Sequence, residues 1–405
     1  MKRKSCLGLT LIAVVASLSL AAHAQTYSVI YNFTGAGDGG YPYAGVTLRG
    51  GNLFGTTTYA GVGNGTVYEL MRSGSNWVNI PLSALAGGGN EPTARVVFGP
   101  DGKLYGTTAQ GGNQGAGVIF NLTPWATLCP SLTCSWRENL VHQFQGYPND
   151  GIAPWYGDLT WDLQGNIYGT TGSGGANDTG TVFELSPSGN GYTEQIIYSF
   201  PHIYDEGYPR ASVIMDGSGN LFGTATGFTD NAGNVFELSY TPGVGWVEND
   251  LYKFQNGDDG GDPEGGLVMD GLGNLYGTTA WGGSGGGGTV FELSPAGNSW
   301  TFKVIYSLRG LFKNQNCGPR ASLSIDAAGN LYGTTACDGA NGYGSVFKLT
   351  NTQNGWAYTA LRDFAADGKG ANPFSNVTID TDGTLYGTAQ LGGSAGYGVV
   401  WMIKP

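Results

Sequence analysis

The sequence predicts an all-β fold, a seven-bladed β-propeller formed by residues 25–405 behind a leader at 1–24. Three observations carry this expectation. A seven-residue run recurs seven times at near-fixed spacing. Each repeat unit offers four strand signals joined by short turns. The two ends of the chain supply complementary parts of one unit, so the array is expected to close on itself.

The leader comes first. Lys2, Arg3 and Lys4 precede a mostly apolar run from Leu7 to Leu20, and Ala22-His23-Ala24 forms an A-x-A site before Gln25. That is the three-part pattern of a secretory signal peptide. The apolar run is short for a membrane span, and no other segment approaches the roughly 20 apolar residues a span needs.

The repeat anchor reads GNLFGTT from residue 51, GKLYGTT from 102 and GNIYGTT from 165, then recurs from 219, 273, 329 and 383. Successive starts lie 51, 63, 54, 54, 56 and 54 residues apart. A fixed period of this size marks a repeat architecture. Strand a runs from a proline to an aspartate, as in Pro209 to Asp216. Strand b is the NLYGTT run. Strand c is the VFEL-like run, and strand d carries Trp or Tyr and ends on an aromatic, as in GWVENDLYKF at 245–254. These segments are rich in Val, Ile, Tyr, Phe and Thr between Gly, Asn, Asp and Pro clusters. The D-x-x-G-N turn between a and b suits a hairpin. The glycine of LYGTT is expected where neighbouring blades approach closely.

The ends decide between a ring and an open solenoid. The seventh unit stops after strand c and lacks strand d. The mature chain begins with YSVIYNF at 27–33, which matches strand d of other units (QIIYSF at 195–200, KVIYSL at 303–308). The N-terminal strand is therefore expected to complete the last blade, closing the ring and hiding most strand edges.

The seven GNLYGTT-like runs, each followed by a Gly-rich loop and a GTVFEL-like run, resemble the GloVer tandem-repeat family of exported bacterial proteins. The resemblance covers nearly all of 27–403. It implies a secreted or surface-exposed protein and no particular activity. Some members carry a C-terminal sorting anchor; the ending Trp401-Met402-Ile403-Lys404-Pro405 matches none, so free secretion is expected. A looser resemblance is to kelch propellers, which place Gly-Gly between strands b and c and Trp in strand d, as Gly282-Gly283 and Trp300 stand here. It supports the fold and not a function.

Composition excludes several partners. The formal net charge is −12, and loss of the leader leaves 15 basic against 30 acidic residues. Nucleic acid and anionic membranes need clustered positive charge, so neither is an expected partner, and a monomer is expected. Four cysteines remain: Cys129, Cys134, Cys317 and Cys337. An even number in an exported chain reads as disulfides, and the C-x2-C spacing of zinc sites is absent. Of three possible pairings the repeat layout favours two. Cys129 and Cys134 share an inserted c-to-d loop. Cys317, before a strand-a proline, and Cys337, in a b-to-c loop, share one face of the sixth blade.

Recognisable chemistry is sparse. No P-loop or H-E-x-x-H motif occurs, and no cofactor or metal is expected. His142 stands where other d strands have Tyr (Tyr198, Tyr252, Tyr306) and reads as a packed structural residue. His202 lies in a loop. Two G-x-S-x-G matches, at Ser284 and Ser394, fall in Gly-rich loops rather than at the strand-to-helix turn a nucleophile elbow requires. Asp38, Asp150, Asp205 and Asp259 each precede a strand-a proline by four residues and read as turn residues capping local N–H groups. Asp258, Asp259 and Asp262 offer oxygens of the kind calcium takes, but their spacing does not fit an EF-hand loop.

The internal comparison of repeats singles out one face. The d-to-a and b-to-c loops of a meander emerge together, and two positions there vary within a constant frame. After the strand-a proline stand Tyr43, Thr93, Trp155, Arg210, Glu264, Arg320 and Phe374. Beyond the GTT-like triplet stand Tyr59, Gln110, Ser173, Gly227, Trp281, Cys337 and Leu391. Aromatic faces suit sugar rings or apolar side chains and arginines suit carboxylates. The expected ligand site comprises Tyr43, Tyr59, Trp155, Arg210, Glu264, Trp281, Arg320 and Phe374, recognising an extracellular glycan or protein. The alternative is a polysaccharide lyase or hydrolase, with Tyr43 or Tyr59 as base and Arg210 or Arg320 neutralising a uronate.

Overall fold

In a computed structural model, residues 25–404 are described apart from 60–62, 87, 125–134, 190, 202–206, 228–231 and 312–316. The leader, His202, Asp205 and the Cys129–Cys134 pair lie outside the described residues.

Seven antiparallel four-stranded sheets form the blades, each a meander ordered a-b-c-d. The fourth blade is representative: Ile214–Met215, Leu221–Ala225, Asn234–Thr241 and Gly245–Lys253. The c–d register slips by one residue at the same place throughout, as at Val182/Phe183 and Val235/Phe236. Such bulges increase local twist. Ring closure is as expected. Thr26–Asn32 pairs antiparallel with Val399–Lys404, running from Thr26↔Lys404 to Asn32↔Val399, and so supplies strand d of the last blade.

Strand a is shorter than its sequence suggests. Only two or three residues pair, such as Thr47–Arg49 and Ile214–Met215. The preceding half lies against the axis, and its carbonyls are taken by hydroxyls from the blade before. The first Thr of the GTT triplet donates across six of the seven seams. Thr56 reaches Ala94 O, Thr170 Ala211 O, Thr224 Gly265 O, Thr278 Ala321 O, Thr334 Ser375 O and Thr388 Ala44 O, at 2.8–3.4 Å. Thr107, at the second-to-third seam, is buried and its hydroxyl has no partner.

The core lies between blades rather than within them. Seven apolar clusters each join two adjacent blades; Tyr168, Val182 and Phe200 of the third, for instance, pack on Val213, Leu221 and Phe236 of the fourth. Strand-d tryptophans reach back onto the strand-b aromatic of the preceding blade. Trp246 packs edge-on to Tyr168, Trp300 to Phe222 and Trp356 to Tyr276, with centroids 5.8–6.3 Å apart. Edge-to-face contacts of this kind add to area burial.

The LYGTT glycine plays a different part from the one expected. A Cβ on Gly106 would stand 2.6 Å from the Phe120 ring, and one on Gly169 2.5 Å from Phe183. Both rings belong to strand c of the same blade, opposite the glycine in register. The glycine therefore makes room for its own blade's aromatic. Close approach between blades falls instead to the glycine before strand c. A Cβ on Gly117, at φ +100°, would lie 2.7 Å from Cδ of Pro154 in the next blade, and Gly180 faces Pro209 likewise.

Candidate functional site

The d-to-a and b-to-c loops do share a face. Gly40 bridges Tyr59, Gly151–Ile152 pairs with Ser173–Gly174, Gly261 bridges Trp281 and Ala371 bridges Leu391. Cys317 and Cys337 occupy the same relationship in the sixth blade and form a disulfide, with Cα atoms 4.7 Å apart. The aspartates act as expected where described. Asp38 accepts Thr34 N–H, Asp150 accepts Gln145 and Gly151 N–H, and Asp259 accepts Gln255 and Gly257 N–H.

At the axial end of these loops, seven side chains from six blades join a closed circuit, the third blade giving two. Tyr43 stacks on Phe374 (centroids 4.6 Å, planes 8° apart) and on Tyr156 (4.8 Å, 13°). Tyr156 leans on Trp155, whose ring lies 5.2 Å from the Arg210 guanidinium. Arg210 Nη1 donates to Glu264 Oε1 at 3.0 Å, Arg320 Nη1 lies 3.3 Å from Glu264 Oε2, and Arg320 in turn sits 5.8 Å over Phe374. Thr93, from the second blade, is turned onto the Trp155 carbonyl. Below the circuit, Arg95 and Asp158 pair at 2.7 Å.

One member was missed. The third blade holds one residue more than the fourth between its strand-a proline and strand a: Pro154 to Thr160, against Pro209 to Ile214. Counting back from the strand puts Tyr156, not Trp155, at the axial position, and Tyr156 lines the opening with Tyr43, Glu264, Arg320 and Phe374. The extra residue was visible in the repeat spacing. It also coincides with the seam where Thr107 goes unpartnered. Tyr59 and Trp281 do not line this opening. Tyr59 is exposed and packs on Tyr41, which also touches Tyr397, while Trp281 is partly buried on its own blade.

The circuit plugs the axis. The cavity left among these side chains is about 40 Å³, room for a few waters and not for a sugar ring. Trp155 and Arg210 do not line this cavity; they stand beside it, against Tyr156 and Glu264. Burial pushes the Tyr43 phenol well above its ordinary range, and Tyr156 adds to this. The Tyr43 phenol therefore gives up its proton less readily than a free one.

Away from the axial opening, the seam between the second and third blades gathers His142, Asp150 and Glu194. No sequence spacing marks this trio, because its members come from one d strand, one d-to-a loop and the next d strand. Asp258, Asp259 and Asp262 form no comparable group among the described residues. Ser284 and Ser394 are exposed on b-to-c loops.

A closed ring of seven four-stranded blades, its axis plugged by side chains, defines a seven-bladed β-propeller. The chain belongs to the Gloeobacter/Verrucomicrobia repeat family, whose model matches residues 15–134 and 239–405, in keeping with the resemblance carried by the GNLYGTT runs. No curated protein matches the chain. Among solved structures it is similar to the extracellular domain of a one-component system from B. thetaiotaomicron (TM-score 0.54, 11% identity, 93% of this chain and 40% of that one). It is also similar to a gluconolactonase from Xanthomonas campestris (TM-score 0.42, 11% identity, 76% of this chain and 84% of that one). At these identities the first likeness concerns the fold alone.

Proposed function

We propose that this chain is an exported binding propeller that seats an acidic glycan on the mouth of its plugged axis. The carrying observation is the sharing of one buried carboxylate, Glu264, by two arginines, Arg210 and Arg320. The trio keeps one positive charge on a chain of net charge −12. That charge stands beside a continuous aromatic run, Trp155-Tyr156-Tyr43-Phe374. Sugar faces stack on such rings, and a uronate carboxylate suits a guanidinium. Export is supported by the leader pattern and by the Cys317–Cys337 disulfide, which persists in oxidising compartments. The lyase reading is the less favoured one, since burial makes the Tyr43 phenol harder to deprotonate and Tyr59 stands away from the arginines' opening.

Calorimetric titration with oligouronates and their neutral counterparts tests the proposal. Uronates should bind more tightly, and Arg210→Ala should abolish that preference. Equal binding of both classes, or release of new reducing ends during incubation, would overturn it. A protein ligand would show as binding by neither oligosaccharide class.

A further inference from the structure

We infer that the outer seam between the second and third blades is a binding site for a divalent transition-metal ion, held by His142 Nε2, Asp150 Oδ2 and Glu194 Oε2. His142 Nε2 stands 3.4 Å from Asp150 Oδ2 and 3.5 Å from Glu194 Oε2, and the three ligand atoms all lie within 4.8 Å of one another. Two ligands bound at about 2.0–2.2 Å with tetrahedral angles stand roughly 3.3–3.6 Å apart. Both distances from the imidazole nitrogen fall in that range.

His142 Nε2 stands near both carboxylates, at a distance longer than a good hydrogen bond to either. His142 Nε2 and Glu194 Oε1 are buried and have no hydrogen-bond partner. A single ring N–H cannot be directed at both carboxylates. No lysine or arginine lines the pocket, which is formed by Leu140, Val141, Gln143, Gln145 and Asn149 with the three ligands. Two adjacent carboxylates thus face one imidazole with no cationic side chain among them. A bound cation supplies the missing positive charge. Asp150 is already oriented for this, since Gln145 N–H fixes Oδ2 and Gly151 N–H fixes Oδ1, the outer support that ligating carboxylates need.

The repeat provides its own control. At the matching place in other seams, Tyr31 donates to Asp38 at 3.0 Å and Tyr252 to Asp259 at 3.1 Å. Those pairs are complete without an ion. In the second blade the tyrosine is replaced by His142, and the next blade presents Glu194. One imidazole with two carboxylates suits zinc and its first-row neighbours, whereas calcium prefers six to eight oxygens.

The test is calorimetric titration of the full chain, free of any histidine tag, with Zn²⁺, Co²⁺ and Ca²⁺. Zn²⁺ should bind one-to-one at micromolar affinity or better, and millimolar Ca²⁺ should not compete. His142→Tyr restores the ordinary tyrosine–aspartate pair. It should fold as the parent does, lose Zn²⁺ binding at least a hundredfold, and lose the visible absorption of the Co²⁺ form. Glu194→Gln should fold and bind at least tenfold more weakly. Absence of Zn²⁺ binding by the parent chain would overturn the inference, as would one-to-one binding unchanged in His142→Tyr.

Discussion

The Thr388 hydroxyl donates to the Ala44 carbonyl at 2.9 Å, joining the last blade to the first across 344 residues of sequence. It is the closing member of the series that links six of the seven seams. Replacing Thr388 by Val keeps the shape and removes the donor, leaving a buried carbonyl unmatched. The expected cost is about 1–2 kcal/mol, seen as a melting temperature lower by roughly 1–4 °C. Thr107→Val is the internal control. Its hydroxyl is buried without a partner, so this variant should melt at or above the parent temperature. Equal destabilisation of both in calorimetric melts would show that the seam bonds contribute nothing.

Closure through the N-terminal strand predicts a second asymmetry. Deleting residues 25–33 removes Tyr27, Val29 and Phe33 from two core clusters and exposes the edge of Val399–Lys404. An open apolar edge invites pairing with other chains. The truncated protein should melt far below the parent and self-associate. Light scattering and melting read both effects, and a monomer of parental stability would contradict a velcro role for this strand.

Gly169→Ala should destabilise by about 1–3 kcal/mol, the usual range for overpacking, because its Cβ meets the Phe183 ring. Trimming that ring in Gly169→Ala/Phe183→Leu should recover part of the loss, giving a non-additive cycle. Additive denaturation energies would mean that the glycine serves something other than the ring.

The fold was legible because its determinants are local and repeated. Seven copies of one run gave blade number, and a strand-d match at the N-terminus gave closure. The site was legible only in part. Tyr43, Arg210, Glu264, Arg320 and Phe374 were found by counting from the proline, a fixed point in those blades. Tyr156 was lost because one extra residue shifted the count. The plugging of the axis depends on side-chain packing among six blades, and His142, Asp150 and Glu194 meet only once the ring forms. Neither leaves a mark on any single repeat.

The a-to-b turns predict the acid limit of stability. Asp270 accepts Leu272 and Asn274 N–H on Oδ1, and the Asn274 amide and Tyr276 hydroxyl on Oδ2. Asp326 repeats this with Ala328, Asn330 and Tyr332. Partial burial pulls both carboxyls upward, but the hydrogen bonds outweigh it and hold them below the ordinary 3.8. A depressed folded pKa means stabilisation that is present above the unfolded value and lost as pH falls through the folded one. The contribution of these two turns should therefore be flat near neutrality and be lost below about pH 4. Asp326→Asn should be less stable at neutral pH and show a shallower acid decline. A decline equally steep in this variant would assign acid sensitivity elsewhere.

The ligand face makes the last and most discriminating prediction. If the mouth of the axis binds, its anchors are Trp155, held under Arg210, and Arg210 itself, held by Glu264. Replacing Trp155 by Ala removes a stacking surface and should weaken binding by about 2 kcal/mol, roughly thirtyfold. Glu264→Gln frees both arginines from their shared carboxylate. For an acidic ligand this should strengthen binding or leave it unchanged, although Glu264 is buried and its replacement costs stability. A neutral ligand would gain nothing from the freed charge. Asp216, in an a-to-b turn on the opposite face, hydrogen-bonds only within its turn to Ser218 and Asn220, so Asp216→Asn should leave affinity intact. Titrating the three variants against the same oligouronate separates the readings. Weakening by Asp216→Asn alone would place the ligand on the other face. Weakening by Glu264→Gln with the fold retained would mean that the carboxylate's hold on the two arginines, and not their freed charge, sets the affinity.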